Sequence, residues 1–401
     1  MAVGIFQGTS KDWYPKQDPI VPKPYHKYLK EDDLKISYPE IYGDKVIDPE
    51  TGKERDKTLQ EIIDAVSNGS TVRLSKDYTE DIVIKSGKVV KIDLSGHKLT
   101  NKTEDTITIE LGGGLTLTGK GLVDNTIKGK APVYNNGITI IDGASITKSE
   151  TDYCAILNHG TMVITGDAKV YLPEKVESSV VDNGYYEYTK ADPKYGYVVG
   201  KNIAFPTITI ESGTFSGGRN AIKNDNGGIA VIEGGTFTAE QCGLFNVNKM
   251  TVKDCTVVPM SDANGQHTVY AEGWKYAVYT KYYSDDIKVG CIDITGGDFA
   301  GLLFEDGAPK AAITVTGGTF DRESPILDEA KQHWEKKNGK YIVVAGQKPA
   351  DETKEEEKHT EEETNKSTDA TATEGTTTTA TGDTTTTATE DTTTTDAPAH
   401  V

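Results

Sequence analysis

His159 stands between Asn158 and Gly160 in the stretch AILNHGTMVITGD, an imidazole at a tight corner inside an otherwise apolar, strand-like run. Imidazole is the side chain that exchanges protons near neutral pH, so a corner histidine is a candidate acid or base. Arg219 in SGGRNAIKND, close to Lys223 and Asp225, is the second candidate, a fixed cation beside a carboxylate. Hydrolytic or eliminative chemistry would need further carboxylates converging on one of these groups from the same face. The acidic residues Asp142, Asp167, Glu211, Glu233 and Asp254 instead occur singly in corners, where those preceding glycine serve first as turn formers. Spacing places no second carboxylate beside Arg219. The cysteines Cys154, Cys242, Cys255 and Cys291 lack CxxC spacing and sit in apolar segments, which predicts buried free thiols rather than a metal site or a disulfide framework. No residue set calls for a metal or a cofactor.

Charge narrows the partners. The 401-residue chain carries a formal net charge of −19 with no Lys/Arg cluster to offset it, which excludes nucleic acid as an expected partner. With 41 glycines, 35% hydrophobic and 26% charged residues, the composition suits a turn-rich β protein. The stretch MAVGIFQGTSKDWYPKQ has no basic region followed by an apolar one, and no segment approaches the ~18 apolar residues of a membrane span. Neither an export signal nor a membrane span is therefore expected.

Three regions differ in composition. Residues 1–57 are rich in Pro, Lys and Tyr without a sustained hydrophobic period and read as an extended arm that lies on something else. Residues 58–346 carry the strands, and residues 347–401 are acidic and then threonine-rich, with too few large apolar side chains to offset chain entropy, so disorder is expected. The strand region opens with TLQEIIDAVSNG: Thr58 and Glu61 form a capping box, Leu59, Ile62, Ile63 and Val66 share a face, and Asn68–Gly69 end the helix. Such a helix can plug the open end of an elongated β structure.

From there the sequence repeats. Leu122, Ile146, Val170, Phe215, Phe237, Val257, Phe299 and Phe320 follow aligned corners at separations of 24, 24, 45, 22, 20, 42 and 21, a unit of 20 to 24 residues if the two long intervals each cover two units. That unit is one coil of a parallel β-helix. A second register, Asn135, Asn158, Asn224 and Asn246, predicts a ladder of stacked corner asparagines. The positions equivalent to His159 are Asn136, Asp225 and Val247, so a turn role is assigned to it and no residue is assigned a catalytic role. Cys154 and Cys242, each four residues before a ladder asparagine, are expected on equivalent inward positions four coils apart.

The stretch TLQEIIDAVSNGSTVRLSKDYTEDIVIKSGKVVKIDLSGHKLT, followed by recurring corners such as ESGTF, EGGTF and TGGTF, resembles the pectin-lyase-like β-helix proteins of bacterial surfaces and of bacteriophage fibres and tailspikes. The resemblance covers residues 58–346 and implies an all-β, right-handed parallel β-helix, here of about twelve coils and about 60 Å, with an N-terminal capping helix and disordered termini. Enzymes of that group cleave polysaccharides with clustered carboxylates, in some beside a Gly-His-Gly corner. The breaks in the repeat carry more information. An insertion at 171–206 holds Tyr171, Tyr185, Tyr186, Tyr188, Tyr195 and Tyr197, and VYAEGWKYAVYTKYY holds Trp274, Tyr276 and four further tyrosines. Of these, Tyr185, Tyr186, Tyr188, Tyr195, Trp274 and Tyr276 are the expected contacts to a glycan or partner. The expected function is a non-enzymatic bacteriophage fibre or capsid decoration protein that adheres to surface glycans, docked to other virion proteins by residues 1–57. The resemblance also implies a homotrimer. The alternatives are a bacterial surface adhesin whose signal peptide was removed and a polysaccharide depolymerase.

Overall fold

In a computed structural model of the chain, the structure describes residues 45–47, 50–150, 152–173, 177–185, 205–259, 276–281, 290–307 and 311–349. The chain divides into two units, Met1–Lys348 and Pro349–Val401, and every described strand and helix belongs to the first. Most of the expected arm and nearly all of the expected disordered tail lie outside the described residues. The arm's end, Lys45–Ile47 with Glu54–Asp56, forms a small antiparallel pair.

The strand region winds into a right-handed parallel β-helix with three strands per coil. The first sheet stacks ten strands from Ser70–Arg73 to Ala311–Val315, and the third stacks nine from Ile82–Ile84 to Leu302–Asp306. The second runs from Tyr78–Thr79 to Thr319–Phe320 and is extended by a closing hairpin. Period-two patterning decides which side chains turn inward. Val133, Ile156, Val181, Ile222, Leu244, Val278 and Leu303 sit one above another inside the third sheet. On the second sheet Phe215 stacks on Phe237 at 5.0 Å and Phe299 on Phe320 at 5.1 Å.

Twelve coils is an overestimate. Val170 pairs directly with Phe215, and Val257 with Phe299, so each long interval is a single coil enlarged by an excursion. Ten stacked strands span about 43 Å at the ~4.8 Å spacing, shorter than the expected rod. The insertion is also narrower than 171–206: Lys169–Tyr171 and Ser179–Asn183 are ordinary coil strands.

Both ends are closed. Helix α1, Leu59–Ala65, has the expected capping box, Glu61 N donating to Thr58 Oγ1 at 3.1 Å and Thr58 N to Glu61 Oε2 at 2.8 Å, and it buries Leu59 and Ile63. Gln60 completes the plug. Its amide accepts from Val83 N at 2.6 Å and donates to Val83 O at 3.1 Å, pairing the edge strand Ile82–Ile84 as a neighbouring strand would. At the other end Gln332–Lys337 and Lys340–Ala345 form an antiparallel hairpin. Its two-residue turn is Asn338–Gly339, both at positive φ, as a hairpin turn of this length requires. Trp334 packs edge-on against Phe320 at 5.1 Å and donates its indole N–H to Ser324 O, which closes the core.

Candidate functional site

The corner between the third and first sheets organises the outer face. Asn135, Asn158, Asn224 and Asn246 form the expected ladder, with a fifth member, Asn183, between Asn158 and Asn224. Each side-chain N–H donates to the next Oδ1 at 2.6 to 2.8 Å, and Asn246 finishes the run on Thr280 Oγ1 at 3.1 Å. All six side chains are fully buried, so the run satisfies corner polar groups that water cannot reach. The 66-residue step from Asn158 to Asn224 is therefore two coils.

The residue before each ladder member must point outward, because the asparagine points in. Those residues form one column on the third sheet: Tyr134, Leu157, Asp182, Lys223, Phe245, Tyr279 and, on the last coil, Phe304. Seven strands at ~4.8 Å give a stripe about 29 Å long. It has three parts.

At its lower end His159 is wedged between Tyr134 and Tyr185, with ring centroids 5.4 and 4.5 Å away. Tyr134 Oη and His159 Nδ1 lie 3.3 Å apart. Burial pushes the imidazole down to about 4, which keeps it neutral at physiological pH. No carboxylate contributes to that shift, as expected for a packed corner residue.

In the middle, Lys223 lies between two carboxylates. Its Nζ is hydrogen-bonded to Asp225 and is 3.7 Å from Asp182 Oδ2 on the paired strand. Burial raises both carboxyls; Asp182's charge raises Asp225 further, and Lys223 opposes the rise in each. The Asp225 side chain is only 3% exposed. Asp182 is the second carboxylate on this face that spacing had not located. Arg219 is not part of the group: it is exposed at another corner and hydrogen-bonded to Gln241 of the next coil.

At the upper end Phe245, Tyr276, Tyr279 and Phe304 pack against one another on the outside of the sheet. Tyr279 is 5.0 Å from Phe245, 5.2 Å from Tyr276 and 5.3 Å from Phe304, and Tyr276 is 5.2 Å from Phe304. Phe304 is 38% exposed. Tyr279 donates to Asp306 Oδ2 at 2.7 Å, and Lys281 pairs with the same oxygen at 3.3 Å, giving the rings a charged rim. Burial first, and Asp306 second, raise the Tyr279 hydroxyl, so it stays a hydrogen-bonding phenol.

Of the expected contacts, Tyr185 and Tyr276 fall on this face, in the lower and upper parts respectively, while Tyr186, Tyr188, Tyr195 and Trp274 lie outside the described residues. Tyr134, Phe245, Tyr279 and Phe304 were missed, although all but Phe304 stand immediately before a ladder position. The cysteines need one correction. Cys154 and Cys242 are buried and equivalent, but they are three coils apart rather than four, and neither belongs to the inner core. Burial raises both thiols.

Among the described residues, no helix is long and apolar enough to cross a membrane, and no group of three His, Cys, Asp or Glu side chains is placed to hold a metal ion. No protein-family model matches the chain, and no solved structure matches it.

Proposed function

We propose that the protein is a non-catalytic adhesive rod that holds a surface glycan along the outer face of its third sheet. The observation that carries this is the outward cluster Phe245–Tyr276–Tyr279–Phe304, in which three rings pack around Tyr279 on a rigid sheet, outside the core, with Asp306 and Lys281 at the rim. Such rings offer apolar faces to sugar C–H groups, and the rim offers hydrogen bonds to hydroxyls. The ladder supports the role by fixing the column's direction, so the platform is in place before a ligand arrives.

The carboxylates do not favour cleavage. Asp182 and Asp225 both engage Lys223, and Asp225 is too buried to reach a glycosidic bond, whereas a hydrolase needs two carboxyl groups facing the substrate.

We further propose that the rod is a bacteriophage fibre or decoration protein, docked to the particle through residues 1–57 and assembled as a homotrimer. The arm's composition, rich in proline and tyrosine without a core of its own, supports docking. Immunogold labelling of purified particles tests the setting, with regularly spaced label expected. Label confined to the bacterial envelope would favour the surface adhesin instead. Sedimentation of the full chain tests the trimer.

A further inference from the structure

The charged group in the middle of the column is poorly served as an ion pair. Asp182 and Lys223 stand directly opposite each other on paired strands, one coil apart in space and 41 residues apart in sequence. Their side chains are 17% and 16% exposed, with Leu157 below and Phe245 above in the same column. Asp182 Oδ1 is buried and makes no hydrogen bond. Gly184 (φ 130°) passes so close to Asp225 that a Cβ there would lie 2.8 Å from the Asp225 backbone carbon, which closes the group from that side. Two carboxylates thus compete for one ammonium in an apolar setting where each charge is costly.

We propose that Lys223 and Asp182 condense to an intramolecular isopeptide bond, with Asp225 as the proton carrier, so that two successive coils are covalently stapled. Asp225, whose Oδ2 is hydrogen-bonded to Nζ, takes one ammonium proton. The freed lone pair adds to Cγ of protonated Asp182 and the C–N bond forms. The C–OH bond then breaks as Asp225 returns its proton, and water leaves. The amide nitrogen gives its surplus proton to Asp225, which ends as a neutral acid. One ammonium, one carboxylic acid and one carboxylate become one amide, one carboxylic acid and one water, and no external reactant is needed. The raised proton affinity of both carboxyls suits these roles, since Asp182 must be protonated to react and Asp225 ends protonated.

The separation is favourable. Nζ is 3.7 Å from Asp182 Oδ2, the oxygen bonded to the Cγ it would attack, and the ladder holds both strands in register. The position is informative too. The 45 residues from Val170 to its partner Phe215 make this the coil with the longest chain, so the staple would lock it.

The test is the intact mass of the folded, full-length protein after incubation at neutral pH, followed by proteolytic mapping. The expected result is a mass one water below that of the sequence, with one branched peptide joining the segments that contain Asp182 and Lys223. Lys223→Arg and Asp182→Ala are expected to restore the full mass, and Asp225→Ala to leave both partners in linear peptides. Wild-type protein at full sequence mass, or a water loss mapped to another site such as Asp142–Gly143, would overturn the proposal whether or not the variants fold. A branched peptide persisting in Asp225→Ala would overturn the role given to Asp225.

Discussion

Asn158 donates its side-chain N–H to Asn183 Oδ1 at 2.6 Å, although 25 residues and a full coil separate the two along the chain. Asn183 in turn donates to Asn224 Oδ1 at 2.7 Å and to Ile229 O at 3.2 Å. Asn183→Ala removes all three bonds and leaves buried groups on both neighbours short of a partner. A loss of roughly 2–4 kcal/mol in chemical denaturation is expected. Asn183→Asp keeps the acceptor but not the donor and adds a buried charge, so it should cost more than alanine.

The packing of His159 between Tyr134 and Tyr185 makes stability depend on pH. The imidazole is depressed to about 4 in the folded state by burial, against an ordinary value of 6.5, so between those values the unfolded chain binds more protons than the native one. Stability from this group is fully present above pH 6.5 and is lost as the pH falls towards 4, with a ceiling of about 3 kcal/mol that the ring's partial exposure lowers. In His159→Asn, which places the residue found at the equivalent Asn136, denaturation midpoints should fall less steeply across that interval. Asp182, Lys223 and Asp225 are common to both proteins, so the difference isolates the histidine.

Gln60 covers the edge strand Ile82–Ile84 through both bonds to Val83. Gln60→Ala should cost about 1–3 kcal/mol and expose an unpaired strand edge. Sedimentation is expected to show concentration-dependent species larger than the wild-type assembly.

Much of this architecture was legible in the residues. The spacing of Phe215, Phe237, Phe299 and Phe320 gave the coil, Thr58 and Glu61 gave the cap, and four asparagines gave the ladder. Asn183 was missed because the interval that follows it, 41 residues to Asn224, is nearly twice the others, which hides a periodic signal that depends on equal spacing. The same stretching inflated the coil count. The outer column was hidden for another reason: Tyr134, Leu157, Asp182, Lys223, Phe245 and Tyr279 share no chemistry, and only their place before the ladder unites them. Once the ladder is known to point inward, that column follows from the two-residue period of a strand. The closing hairpin was marked by Asn338–Gly339 but fell beyond the last repeat corner, where the pattern had ceased to guide.

The aromatic platform carries the proposed function, and carbohydrate binding tests it most directly. Full-length protein and the Phe304→Ala and Tyr279→Ala variants would be applied to an array of bacterial capsular, teichoic and pectic polysaccharides, with new reducing ends and unsaturated uronates followed in parallel. The prediction is that the wild type retains at least one polysaccharide without cutting it, and that each variant loses binding at least tenfold, about 1.4 kcal/mol, while unfolding within about 1 kcal/mol of the wild type. Binding unchanged in both variants, no binding to any polysaccharide, or cleavage of the bound chain would contradict it.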